Sequence, residues 1–186
     1  MGRLIFISGG VRSGKSSFAE QFAVNVASSQ GGKLHYIATG VPCDKEMEDR
    51  IIRHKFSRSS YGWQTWEEHM DPGKLAGNFT KRDVILIDCL TNWVNNLLFN
   101  GGKHSILQMK EGILKDVFKL RMCCHTLIIV SNDVSFDTLF ENKLVFSFKH
   151  LLGKVHQDLV RVTDQAFLVE ACTPVQIKCL EAGRWK

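Results

Sequence analysis

The stretch Gly9-Gly10-Val11-Arg12-Ser13-Gly14-Lys15-Ser16 constrains this chain more than any other. It has the spacing of a phosphate-binding loop. An apolar run, Leu4-Ile5-Phe6-Ile7, precedes it and reads as a buried strand; Ser17-Phe18-Ala19-Glu20-Gln21-Phe22-Ala23 follows it and reads as a helix opening. Strand, glycine loop and helix in that order are the context that gives the motif meaning, and a chance match in a glycine-rich turn would lack both flanks. Each residue type has a physical reason. Glycines let successive backbone N–H groups turn inward around phosphate oxygens, the helix N-terminus adds positive potential, and Lys15 supplies a mobile charge. Ser16 places a hydroxyl where a magnesium ion bridging two phosphates would sit. The chain is expected to bind a nucleotide.

The rest of the chain alternates strand and helix. Strands are expected at 3–8, 33–38, 63–67, 84–87, 127–130, 166–169 and 175–177. Helices are expected at 16–28, 44–56 with Asp44 as cap, 93–99, 106–124 and 141–162. Nearly continuous apolar strands separated by helices predict an α/β fold, a mostly parallel sheet covered on both faces. With 186 residues and no internal repeat or Pro/Gly/Ser-rich linker, a single domain spanning 1–186 is expected.

Composition excludes some classes and leaves others open. Hydrophobic residues make up 44% and charged residues 23%, as in an ordinary globular protein. A net charge of +5 without a Lys/Arg block fits phosphorylated ligands as well as nucleic acid and so decides little; the expected partner is a small-molecule substrate, not nucleic acid. No apolar run approaches membrane-spanning length, and with no signal peptide read at the start, the expected compartment is the cytoplasm. The six cysteines show no Cys-x-x-Cys pair, so buried reduced thiols are expected in preference to disulfides or metal ligands.

Two further places carry candidate chemistry. Asp88 ends the apolar run Val84-Ile85-Leu86-Ile87, and in such sheets ligands gather at the carboxyl ends of strands. It could hold magnesium directly or through water, or simply cap the following turn. The segment Glu46-Met47-Glu48-Asp49-Arg50-Ile51-Ile52-Arg53-His54-Lys55-Phe56-Ser57-Arg58 would set Arg50 and His54 on one helical face. Arginines flanking a histidine suit a phosphate-bearing ligand, although a solvated histidine on a charged helix is the commoner arrangement.

The ordered set of motifs resembles the bifunctional adenosylcobinamide kinase / adenosylcobinamide-phosphate guanylyltransferase family of cobalamin biosynthesis. The resemblance runs through Ser8 to Ser16, Tyr36-Ile37-Ala38-Thr39, the run from Glu46 to His54 with Arg58 after it, and Trp63-x-Thr65-x-Glu67. It continues through Leu86-Ile87-Asp88-Cys89-Leu90-Thr91, Asn96-Leu97-Leu98, Val130-Ser131-Asn132 and, more loosely, to Val175-Gln176-Ile177-Lys178. It implies a RecA-like P-loop fold and a two-step transferase. One step phosphorylates adenosylcobinamide. The other transfers GMP from GTP to the resulting phosphate through a histidine–GMP intermediate, with His54 at the matching position. The resemblance also implies that Gly9, Gly10, Val11, Arg12, Ser13, Gly14, Lys15 and Ser16 hold phosphates. By the same token Ala38, Thr39 and Gly40 contact the nucleotide, Lys55, Phe56, Ser57 and Arg58 line the guanylyl site, and Glu67 and Asp88 complete it. GTP, with ATP open for the kinase step, and Mg2+ bound through Ser16 and Asp88 are the implied cofactors, and a homotrimer the implied assembly.

The chain departs from the family pattern after Asn132. A stretch that usually reads Glu-Val-Gly-x-Gly-Ile-Val-Pro is here Asp133-Val134-Ser135-Phe136-Asp137-Thr138-Leu139-Phe140. Phe146-Ser147-Phe148-Lys149-His150 replaces an Arg-x-Phe-Arg-Asp, His156 replaces an asparagine, and Ser59 a proline. Two other readings accommodate these changes: a kinase or nucleotidyltransferase for another small molecule, or a nucleotide-binding partner protein whose catalysis has decayed.

Overall fold

The computed structural model describes residues 1–41, 45, 58–100, 102, 104–134 and 143–179. Seven strands form one sheet: β1 (Arg3–Gly9), β2 (Leu34–Ala38), β3 (Gln64–Glu67), β4 (Val84–Asp88), β5 (Thr126–Asn132), β6 (Gln165–Glu170) and β7 (Thr173–Cys179). Their spatial order is β3-β2-β4-β5-β1-β6-β7. Every pairing is parallel except that of β6 with β7, an antiparallel hairpin at one edge. The antiparallel edge was not foreseen from sequence; it follows from the two-residue turn Ala171–Cys172, too short for a parallel crossover.

The central strands are apolar on both faces because both faces are covered. Leu4, Phe6, Ile85, Ile87, Leu127 and Ile129 pack toward α2 (Leu90–Asn100), α3 (Ile106–Cys123) and α4 (Lys143–Val162). Their alternates Ile5, Ile7, Val84, Leu86, Ile128 and Val130 pack toward α1 (Lys15–Gln30). The period of two along each strand thus divides the core into two layers. Helix α1 presents Ala19, Ala23 and Ala27, small side chains at four-residue spacing that seat it close to the sheet. It stops at Gly31, whose left-handed backbone donates its N–H to the Ala27 carbonyl. Ser105 caps α3 in a reciprocal capping box with Gln108.

The expected strands and helices over described residues are all present, with β5 longer by Thr126, Ser131 and Asn132 and α2 starting earlier, at Leu90. A 3-10 turn at Pro72–Asn78 fills what sequence left as a polar stretch. The helix expected at 44–56 lies outside the described residues. Among the described cysteines all are free thiols, but only Cys89 and Cys124 are buried. Cys172 and Cys179 are exposed because they belong to the hairpin at the sheet edge, which corrects the expectation of uniformly buried thiols.

Candidate active site

Parallel register brings the ends of five strands to one edge of the sheet. Glu67 pairs with Ala38, Ala38 with Asp88, and Asn132 with Gly9. The loop from Gly9 to Ser16 leaves this edge and enters α1. Gly14 is the helix N-cap at φ 89°, a left-handed conformation suited to glycine. Gly9 lies so close to the Val169 carbonyl and the Ser13 hydroxyl that a Cβ could not be accommodated. Lys15 is only 3% exposed and donates from Nζ to the Gly10 carbonyl at 3.0 Å, arched over its own loop. Ser16 is buried in the first helical turn, and the Ser13 hydroxyl is buried without a hydrogen-bond partner among the described residues. Val11 and Arg12 stand exposed at the loop's tip. An orphaned hydroxyl, a lysine folded over the loop and a helix N-terminus together make a cradle suited to a polyphosphate.

Asp88 sits beside this cradle at the end of β4. Its Oδ2 accepts the Tyr36 hydroxyl at 2.9 Å, while Thr39 N donates to its backbone carbonyl at 3.2 Å. Hydroxyl oxygen from Ser16 and carboxylate oxygen from Asp88 are the donor types a hard divalent cation takes, so these residues fit Mg2+. Glu67 is exposed at the end of β3 on the same edge. Thr39 is different. It is fully buried, its hydroxyl is shared with both backbone groups of Cys89, and its carbonyl receives Asn96 Nδ2 at 2.8 Å and lies 3.2 Å from His69 Nδ1. Its own N–H is taken by the Asp88 carbonyl, so each polar group of Thr39 already has a partner within the fold. Ala38 and Gly40 on either side of it are half-buried at the edge.

Arg58 is buried at 4% exposure, with its guanidinium 3.4 Å above the centre of the Tyr36 ring and NH1 3.4 Å from Glu20 on α1. His54, Lys55, Phe56 and Ser57 lie outside the described residues. Sequence reasoning missed Tyr36, Glu20 and Asn96. Tyr36 pairs with Leu86, so strand alternation places it on the same face as Asp88, but only once the register of β2 against β4 is known. It also missed Glu68, buried at the end of β3, which accepts the Met70 and Asp71 amides and pairs with Lys74.

A parallel sheet with helices on both faces and a phosphate loop at the first strand's carboxyl end defines a P-loop nucleotide-binding protein of the expected RecA-like kind. Among solved structures, the "unique ATP synthase subunit NeqB" from Nanoarcheaum equitans superposes with a TM-score of 0.57 over 90% of this chain and 45% of that one. At 15% identity that likeness concerns the fold alone. The family described as "Cobinamide kinase / cobinamide phosphate guanyltransferase" matches residues 5–177, and the chain belongs to it. It is 33% identical over 94% of its length to the bifunctional adenosylcobalamin biosynthesis protein CobU of Salmonella typhimurium, covering 99% of that protein. The corresponding figures for CobU of Escherichia coli are 32%, 94% and 99%. For CobP of Pseudomonas aeruginosa they are 30%, 92% and 95%. The chain is thus a transferase of the cobinamide kinase and guanylyltransferase family.

Proposed function

We propose that this enzyme phosphorylates adenosylcobinamide and then transfers GMP from GTP to adenosylcobinamide phosphate through a covalent adduct on His54. The observation that carries this reading is the convergence of the Gly9–Ser16 cradle, Asp88 and Glu67 on one sheet edge in a chain of this family. In the kinase step, Lys15 and the loop amides offset charge developing on the transferred phosphoryl group, with GTP or ATP as donor. Ser16 and Asp88 would hold Mg2+, which supplies charge neutralisation between phosphates. Ala38 and Gly40 would border the nucleotide, with Glu67 as a carboxylate contact to base or ribose, and Lys55, Phe56, Ser57 and Arg58 would shape the guanylyl site.

In the guanylyl step, neutral His54 attacks the α-phosphorus of GTP. A nitrogen–phosphorus bond forms, the bond to the bridging oxygen breaks, and pyrophosphate leaves. A phosphate oxygen of adenosylcobinamide phosphate then attacks the same phosphorus. Protonation of the imidazole makes it a good leaving group, and free His54 returns. A homotrimer, as the family resemblance implies, working in the cytoplasm completes the reading.

Intact-protein mass spectrometry after incubation with magnesium and GTP tests it, with His54→Ala alongside. A mass gain of one GMP on the wild type only is expected. An adduct that persists on His54→Ala moves the nucleophile elsewhere. No adduct on either protein, with GTP still bound, removes the guanylyl step.

A further inference from the structure

Tyr36 occupies a position that neither phosphate binding nor histidine chemistry accounts for. The Arg58 guanidinium covers one face of the Tyr36 ring at 3.4 Å, and Trp63 stands nearly perpendicular to it at 6.1 Å between ring centres. Its hydroxyl reaches across from β2 to Asp88 Oδ2 on β4. A phenol hydroxyl is neutral at ordinary pH, so toward a carboxylate oxygen it acts as the donor. The other carboxylate oxygen, Oδ1, has no partner among the described residues.

We propose that Tyr36 is a positioning residue for Asp88, and that it couples that carboxylate to Arg58. Three observations meet in this assignment. The phenol fixes one carboxylate oxygen through a neutral donor, which leaves the full negative charge of Asp88 and its second oxygen for a cation or for the phosphate cradle. Arg58, the nearby buried cation, is stacked on the ring, where it cannot cancel that charge by a direct ion pair. Its NH1 faces Glu20, four residues after Ser16 and so on the same side of α1. Glu20, Arg58, Tyr36 and Asp88 thus form one path from the helix behind the phosphate loop to the end of β4. Arg58 lies four residues past His54 in the chain. Arg58 Nε and Trp63 Nε1 are buried without hydrogen-bond partners among the described residues, two donors beside the same ring.

The inference rests on the reading of Asp88 as a cation ligand, and the experiment separates the two. Mn2+ binding to the full-length protein with GTP is followed by electron paramagnetic resonance for wild type, Tyr36→Phe and Asp88→Asn. Tyr36→Phe keeps the ring and its stack and removes only the hydroxyl. Loss of an outer partner to a metal ligand typically weakens affinity about 10-fold or more, and that is the expected shift for Tyr36→Phe. GTP affinity in chelator and the melting temperature should stay at wild-type values, which a merely structural role for the hydroxyl would not allow. Arg58→Lys, which removes the planar stack, should shift Mn2+ affinity in the same direction by less. Mn2+ affinity within twofold of wild type in Tyr36→Phe, with Asp88→Asn weakened, overturns the positioning role and leaves Asp88 as ligand. Wild-type affinity in both variants overturns both.

Discussion

Thr39 and Cys89 are joined by two hydrogen bonds through one oxygen atom. The Thr39 hydroxyl donates to the Cys89 carbonyl at 2.7 Å and accepts the Cys89 N–H at 2.8 Å. Both residues are buried, one past the end of β2 and the other one past the end of β4, where ladder bonds cease. A side chain here replaces the missing backbone partner and fixes the turn that carries Asp88.

Thr39→Val is close to isosteric and leaves the Cys89 N–H buried and unpaired, while the Cys89 carbonyl keeps the Trp93 N–H at 3.1 Å. The expected loss is about 1–3 kcal/mol of unfolding free energy, read from urea denaturation, the cost of one orphaned buried group. Thr39→Ser restores the oxygen and should recover most of it. A Thr39→Val midpoint equal to wild type would show that the pair contributes nothing.

The phosphate loop is also braced from the opposite side of β1. Cys172, at the tip of the β6–β7 hairpin, donates its N–H to the Ser13 carbonyl at 2.9 Å. A Cβ placed on Gly14 would stand 2.9 Å from Cys172 Sγ and 3.1 Å from its Cα. Gly14→Ala therefore combines a left-handed backbone with a collision, and GTP affinity measured by calorimetry should fall at least about 10-fold, more than 1.4 kcal/mol. Adding Cys172→Gly clears the sulfur and should return part of that loss. No recovery in the double variant would assign the whole effect to Gly14's backbone.

What the sequence made legible follows from where information is local. The loop Gly9–Ser16, the run Val84–Asp88 and the helix ending at Cys123 each carry their signal within a few residues, and the structure contains all of them. Thr39 entered the expected site only through the family resemblance. Its actual partners, Cys89 and Asn96, are distant in sequence and depend on strand order. The same holds for Tyr36 and Asp88. The antiparallel β7 was missed because strand direction is set by the turn at Ala171 and Cys172, neither of which is a usual turn residue, although both adopt positive φ, 47° and 62°.

His156 shows how a departure from the family pattern becomes a pH dependence. It stands where the resemblance places an asparagine, with Nε2 2.8 Å from the Ser131 hydroxyl and its ring edge-on to Phe6. Ser131 Oγ lies 3.0 Å from Thr91 Oγ1, which accepts the Asn132 N–H at 2.7 Å, so the imidazole anchors the end of β5 beside Gly9. Burial lowers its pKa to about 4 from 6.5, only partly opposed by Asp133. Above pH 6.5 the group is neutral folded and unfolded, and it adds no pH dependence. Between 6.5 and 4 the unfolded chain takes up a proton that the folded protein excludes, so stability falls as pH falls through that window. The shift corresponds to a loss of up to about 3 kcal/mol by pH 4. Asp116, raised to about 6 by burial and by Asp71, acts in the opposite sense over part of the range. That contribution cancels on comparing wild type with His156→Asn. The difference in unfolding free energy between the two proteins should be constant above about pH 7 and should shift against the wild type from pH 6.5 downward. A difference that stays flat to pH 4 would mean that the imidazole is charged in the folded protein and that the Ser131 contact is made by an imidazolium donor.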